Sequence, residues 1–190
     1  HFDDPDTPQD ETLSAYAELV KAGKVRLIGA SNFSADRLAD ALEVSRKNGL
    51  PRYETLQPEY NLSARQEFEA GPQSVCAVNS VSVITYFSLA SGFLTGKYRK
   101  ESDFEGKARS GGAKKHLTER GRRILAALDS TAAKLGVQPS QIALAWLLTR
   151  PTVAAPIASA TTVAQLDELL ASTTLVLDAA TLKELDDASA

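Results

Sequence analysis

The sequence predicts an α/β fold built around a parallel sheet. Two observations carry this prediction. Short apolar runs alternate along the chain with segments whose apolar residues recur at helical spacing. Candidate strands start at positions 25, 53 and 81, a recurrence of 28 residues, which is the length of one βα unit. The 190 residues are 43% hydrophobic and 24% charged, enough to bury a core as one domain over 1–190.

In chain order, the first helical face is Leu13, Tyr16, Ala17 and Val20. The first strand runs from Val25 to Ala30 and leads into Ser31-Asn32. Leu38, Ala41, Leu42 and Ser45 form the next helical face, with Ser34 as N-cap and Gly49 closing the helix. Strands follow at Tyr53–Gln57, Val81–Tyr86 and Val153–Ile157. Gly71-Pro72 starts a helix at Pro72. Gln138-Pro139 opens another, whose stretch from Gln141 to Leu148 is apolar on almost every side and therefore buried. Thr161-Thr162 and Asp178 cap the last two helices. Lys97 to Arg123 breaks the rhythm with ten basic residues against four acidic ones. It reads as a long mobile loop, either simply solvated or closing over an anion, that leads into a helix from about Leu117 to Leu135. His116 within it reads as solvent-exposed.

A net charge of −3 argues against a general nucleic-acid binder. The one cysteine, Cys76, has no partner for an internal disulfide, which points to a reducing compartment, most simply the cytoplasm. There is no apolar run of about eighteen residues or more, so no membrane partner is expected. The chain starts at His1 and contains no methionine, which leads us to expect residues upstream in the parent protein.

In a parallel α/β sheet, ligands gather at the C-terminal strand ends. Those ends carry Ser31-Asn32, Gln57 and Tyr86. Hydroxyl and amide groups both donate and accept, as a carboxamide ligand requires, and a tyrosine ring offers a flat face for an aromatic ligand. The same residues could equally cap a helix and satisfy backbone groups. After Tyr86, Gly92 and Gly96 permit close backbone approach, and Lys97 adds a positive charge.

These residues sit inside longer motifs: Gly23 to Phe33, Gln57-Pro58-Glu59-Tyr60-Asn61, Tyr86 to Lys97, Ala143 to Leu148 and Pro156 to Ala160. In order and spacing, across essentially the whole chain, they resemble the aldo-keto reductases. The resemblance implies a (β/α)8 barrel of the TIM type, with this chain supplying its C-terminal half of about four βα units. It implies a cofactor, NADP(H) with NAD(H) possible, and a small-molecule carbonyl substrate. Ser31, Asn32 and Gln57 would then bind the nicotinamide carboxamide, and Tyr86 would stack on the ring. Ser88, Leu89, Ser91, Gly92, Leu94 and Lys97 would line pyrophosphate and ribose. Ile157, Ser159, Ala160, Gln165 and Glu168 would face the adenosine. His1 would be the active-site histidine that orients the substrate carbonyl.

The chain departs from the family pattern in two informative ways. The family's catalytic tyrosine, lysine and aspartate would all lie upstream of His1; Tyr16, Tyr53, Tyr60 and Tyr98 are not at matching positions. Ser159 to Glu168 contains no lysine or arginine, the residues that usually meet a 2′-phosphate. Three readings result. The first is a carbonyl-reducing oxidoreductase. The second is a non-catalytic cofactor-binding or regulatory subunit of the same fold. The third is a half-barrel that self-associates through its open edges.

Overall fold

A computed structural model describes residues 1–106 and 111–190. In chain order the elements are α1 (Gln9–Lys21), β1 (Ile28–Ser31), α2 (Ala35–Asn48), β2 (Tyr53–Gln57), α3 (Gln66–Glu69), α4 (Pro72–Val78) and β3 (Ser82–Thr85). Then follow α5 (Gly111–Lys114), α6 (Glu119–Leu135), α7 (Pro139–Leu148), β4 (Val153–Pro156), α8 (Val163–Ala171) and α9 (Ala179–Ser189). Short 3₁₀ segments span Ala90–Thr95, which is kinked at Ser91 and Gly92, Glu101–Phe104 and Ser172–Thr174.

The strands form one four-stranded sheet in the order β1-β2-β3-β4, so β1 and β4 are its edges. β1 pairs with β2, and β2 with β3, in parallel. The Val83 N–H donates to the Thr152 carbonyl at 2.8 Å and joins β3 to the entry of β4. Among the described residues this sheet does not close into a barrel.

The chain divides into two compact units. The first comprises residues 1–59, 66–84 and 151–155. Its helices form where the pattern required them. Ser34 caps α2 by accepting the Arg37 N–H, and Gly49 ends it at φ 63°, a left-handed turn that glycine adopts without penalty. The buried face of α2 is Leu38, Ala41, Leu42 and Ser45. It shares the core of this unit with Leu13, Leu56, Phe68 and Val83, each with essentially no exposed surface. Gly29 lies against Thr55 of β2; a Cβ there would overlap the Thr55 hydroxyl.

The second unit comprises residues 60–65, 85–150 and 156–190. α7 is buried from Ile142 to Leu147. Its Trp146 donates from Nε1 to Asp186 of α9 at 2.9 Å. The Arg65 and Arg150 guanidinium groups stand 5.3 and 4.7 Å from the Trp146 ring, and both pair with Asp186. Arg120 of α6 donates to the Ser189 carbonyl at 2.8 Å. These partly buried, charge-assisted bonds fasten the C-terminal helix onto α6 and α7.

Two expectations are corrected here. β1 starts at Ile28, not Val25: its ladder with β2 begins at the Ile28–Tyr53 pair, the Lys24 N–H is turned back to the Leu19 carbonyl, and Leu27 is 71% exposed. The described parts of the Lys97 to Arg123 segment are not one long loop. They hold a 3₁₀ turn at Glu101–Phe104, the helix α5 and the start of α6, which Thr118 caps by accepting the Gly121 N–H. Residues 107–110 of that segment lie outside the described residues.

No helix among the described residues is long and apolar enough to cross a membrane.

Gly121 supplies a direct test of packing in the second unit. A Cβ at this position would collide with the His116 carbonyl and come within 3.0 Å of the Phe93 ring. Gly121→Ala is expected to lower the unfolding free energy by about 1–3 kcal/mol, as overpacking does. The measurement is the shift in the urea midpoint.

Candidate functional site

In the first unit, parallel pairing sets Ser31 beside Gln57. The Gln57 carbonyl accepts the Ser31 hydroxyl at 2.8 Å and the Asn32 N–H at 3.3 Å. Asn32 turns out of the strand at φ 57°, a left-handed conformation that asparagine tolerates better than most residues. Its Nδ2 donates to Ser31 Oγ at 3.2 Å and to the His1 carbonyl at 2.8 Å. Thus His1, Ser31, Asn32 and Gln57 are brought together at one strand edge. The three strand-end side chains are half-buried and His1 is exposed.

A cavity of about 150 Å³ opens beside this cluster, lined by His1, Asp3, Tyr16, Ser31, Arg37 and Tyr53 among others. Arg37 grips Asp3 through both carboxylate oxygens, at 2.5 and 2.8 Å, and also donates to the Asp4 carbonyl at 3.2 Å. The Asp3 carboxylate raises the Arg37 pKa further above its ordinary value. This fork holds the N-terminal segment against α2, and with it His1. Pattern reading missed it, because the partners are 34 residues apart and nothing local links them. Burial pushes the Tyr53 hydroxyl up to about 12, so this tyrosine is held as a neutral phenol at one side of the cavity.

In the second unit, the Ile157 N–H donates to the Thr85 carbonyl at 2.8 Å. That bond sets Tyr86 and Ile157 just beyond neighbouring strand ends. Tyr86 is half-buried, with its ring edge-on to Phe87 at 5.3 Å. Beyond it, Phe87, Ala90, Ser91 and Gly92 all have positive φ, from 49° to 86°, and the chain makes tight successive turns. The N–H groups of Ala90, Gly92, Leu94 and Gly96 are committed to carbonyls within those turns. Leu89 and Ser91 are half-buried. Lys97 is exposed and folds back over the Tyr98 ring at 5.1 Å. A Cβ on Gly92 would come within 3.0 Å of the Lys97 ammonium nitrogen, so the glycine keeps room for that cation beside the loop.

The side chains of Ser88 and Leu94 are not brought to a surface: Ser88 is 1% exposed and Leu94 0%. The Ser88 hydroxyl donates to the Thr85 carbonyl at 3.1 Å and shares a bond with Thr85 Oγ1 at 3.0 Å. Farther along, Ile157 and Ser159 are exposed and Ala160 half-buried. Gln165 Oε1 accepts the Thr161 N–H at 2.8 Å and the Thr161 hydroxyl at 2.9 Å. Thr162 caps α8 by accepting the Gln165 N–H. Glu168, half-buried, accepts the hydroxyl of Ser140.

His116 corrects the sequence expectation of an exposed residue. It is 9% exposed, its ring lies 5.7 Å from Phe93, and its Nε2 finds no protein partner. The missing side chain of Gly121 lets α6 pass directly over the His116 carbonyl.

The family model described as the Aldo/keto reductase family matches residues 1–190. The chain belongs to this family. It is 35% identical over 184 residues to Protein tas of Escherichia coli (strain K12), covering 93% of this chain and 51% of that protein. It is 34% identical over 174 residues to the L-glyceraldehyde 3-phosphate reductase of the same organism, covering 88% and 50%. A probable voltage-gated potassium channel subunit beta of Oryza sativa subsp. japonica is 32% identical over 166 residues, covering 85% and 51%. Among solved structures, the thermostable aldo-keto reductase Tm1743, crystallised with the inhibitor epalrestat, aligns with a TM-score of 0.75 and 29% identity. That alignment covers 99% of this chain and 57% of that one. The chain thus spans about half the length of the curated relatives it matches.

A pH test follows from His116. Burial foremost, then the charges of Lys115 and Arg120, pushes its pKa from 6.5 down to about 4. The unfolded chain therefore binds a proton that the fold refuses between those values. The stability from a neutral His116 is complete above pH 6.5 and is lost as pH falls toward 4. The loss is expected to be on the order of 2–3 kcal/mol relative to His116→Gln. Urea unfolding of both proteins across this range measures it; parallel pH profiles would contradict it.

Proposed function

We propose that this chain is the nicotinamide-nucleotide-binding part of an oxidoreductase that reduces aldehydes or ketones. The observation that carries the proposal is the grouping of Ser31, Asn32, Gln57 and His1 at one strand edge, in a chain of this family. When bound, the nucleotide would supply the hydride. Gln57 and Ser31 offer the mixed donors and acceptors that a carboxamide needs. Tyr86 offers a ring face for the nicotinamide. Ser91, Gly92 and Lys97, with the backbone around Ser88, Leu89 and Leu94, would meet pyrophosphate and ribose. Ile157, Ser159, Ala160, Gln165 and Glu168 would meet the adenosine. His1, held by the Arg37–Asp3 fork and the Asn32 amide, would hydrogen-bond the substrate carbonyl and orient it.

In this reading the proton-donating tyrosine, its lysine and its aspartate come from outside these 190 residues. The open edges at β1 and β4 support completion of the sheet by further strands, either upstream in the same polypeptide or from a second copy. Light scattering separates these two sources. A cytoplasmic setting belongs to the same reading, supported by a single cysteine that forms no disulfide.

A second reading, a regulatory cofactor-binding subunit, is favoured by the similarity to a probable potassium channel subunit beta. The two readings are separated by turnover: a regulatory subunit binds the nucleotide but oxidises it slowly or not at all with any aldehyde offered.

The test of binding is Tyr86→Ala. Loss of one stacking face is expected to weaken nicotinamide dinucleotide binding about tenfold, while 5′-AMP binding stays unchanged. Titration calorimetry reads both. Unchanged dinucleotide affinity would remove Tyr86 from the site.

A further inference from the structure

Asn61 has no exposed surface, and both ends of its amide are used. Its Oδ1 accepts the Ser63 N–H at 2.8 Å and the Ala64 N–H at 3.0 Å, closing a turn that backbone bonds between Asn61 and Ala64 already brace. A hydroxyl or a carboxylate would serve that turn as well. The Nδ2 does something the turn does not need. It donates to the Phe87 carbonyl at 3.0 Å, across 26 residues of sequence. A carboxylate cannot make this bond, because it only accepts.

The Phe87 carbonyl belongs to a strained point of the loop. Phe87 has φ 50°, a left-handed conformation that a bulky side chain adopts only at a cost. Such a residue stays there where its surroundings hold it. Its ring is 53% exposed, so packing around the ring does not impose the conformation. Two bonds to its carbonyl do: the Ala90 N–H at 2.6 Å, from within the loop, and Asn61 Nδ2, from outside it. Rotation about the Phe87 N–Cα bond sets the direction of the Phe87 ring relative to Tyr86. At this φ the two rings meet edge-on, 5.3 Å apart with 64° between their planes. At the ordinary negative φ the Phe87 side chain would point elsewhere and the pair would separate.

The support behind Asn61 is stiff. Tyr60 and Leu62 on either side of it have no exposed surface, and the Tyr60 ring lies 5.5 Å from Trp146 of α7. Arg120 of α6 donates to the Leu62 and Ser63 carbonyls at 3.5 and 3.3 Å, and Arg65 pairs with Asp186 of α9. The amide is mounted on a segment fastened to three helices, and the carbonyl it holds belongs to the positive-φ turns after Tyr86.

We infer that Asn61 is a positioning residue: by holding the Phe87 carbonyl it fixes the Tyr86–Phe87 ring pair, and with it the ring face that Tyr86 presents to the nicotinamide. The use of that face by a nicotinamide rests on the cofactor reading above; the hold on the ring pair does not. The test compares the wild-type protein with Asn61→Ser and Asn61→Asp at about pH 8, above the ordinary carboxyl range. Both substitutes keep an oxygen for the turn, but the serine is too short to reach Phe87 and the carboxylate cannot donate. Circular dichroism checks that the variants fold. Nuclear Overhauser spectra read the Tyr86–Phe87 ring contact and the short Phe87 amide-to-Hα distance that marks a positive φ. Titration calorimetry reads the affinity for 5′-AMP and for whichever of NADH and NADPH binds more tightly. Both spectral signals are expected in the wild type and are expected to disappear in the variants. Dinucleotide affinity is expected to fall about tenfold as preorganisation is lost, with 5′-AMP affinity within about twofold of wild type. A role in stability alone would leave the ring contact and the ratio of the two affinities in place. A variant that folds and keeps both spectral signals overturns the inference, whatever it binds. Loss of the signals with unchanged dinucleotide affinity overturns it too, because the ring face then needs no positioning. If the wild-type protein binds neither dinucleotide, the cofactor reading fails, and the spectral signals alone decide whether Asn61 holds the rings.

Discussion

The parallel pairing of β1 with β2 is the interaction on which the rest depends. Parallel strands carry their C-terminal ends to the same edge, and this register places Ser31 directly beside Gln57. A single carbonyl, that of Gln57, then ties the strand ends together by accepting both the Ser31 hydroxyl and the Asn32 N–H. Gly29 makes the register possible, because any side chain there would strike Thr55. A one-residue slip would bring a different β2 residue against Ser31 and reverse which face each side chain points to. The N-terminal segment joins the same edge through Asn32 and the Arg37–Asp3 fork, so the placement of His1 also follows from it.

The polar groups divide into those that build the fold and those left to meet a ligand. Ser88 is spent on Thr85, Gln165 on Thr161 and Asp186 on Trp146 and two arginines. These bonds are local or buried, where an unmade partner is most costly. Among the described residues Lys97 lies over the face of Tyr98, and the positive-φ turns around Gly92 keep it close to the loop. The first unit thus carries a rigid, hydrogen-bonded strand edge, and the second a loop whose cation stays exposed.

Much of this was legible in the sequence where the signal is local. Tyr53–Gln57 is a strand with the expected bounds, because Pro51 stands two residues before it and Pro58 directly after it. The α2 face and the caps at Ser34, Thr162 and Asp178 follow from spacing and side-chain chemistry within a few residues. What escaped depends on distant partners or very short elements. The helix α5 has four residues, too few to show a period among lysines and glycines. His116 sits among Lys114, Lys115 and Arg120, which suggested solvent; its burial comes from Phe93 and from the missing side chain of Gly121. The strand ends were legible as a group, but the Arg37–Asp3 fork that anchors His1 was not, since it joins residues with no common pattern.

The central claim is that Tyr86 and the Ser31–Gln57 strand edge each touch the nicotinamide. Nuclear Overhauser contacts in the protein saturated with dinucleotide measure this most directly. The account predicts contacts from the nicotinamide ring protons to the Tyr86 ring, together with contacts from the carboxamide protons to the Gln57 side-chain amide. A bound dinucleotide whose nicotinamide protons contact neither residue would contradict it.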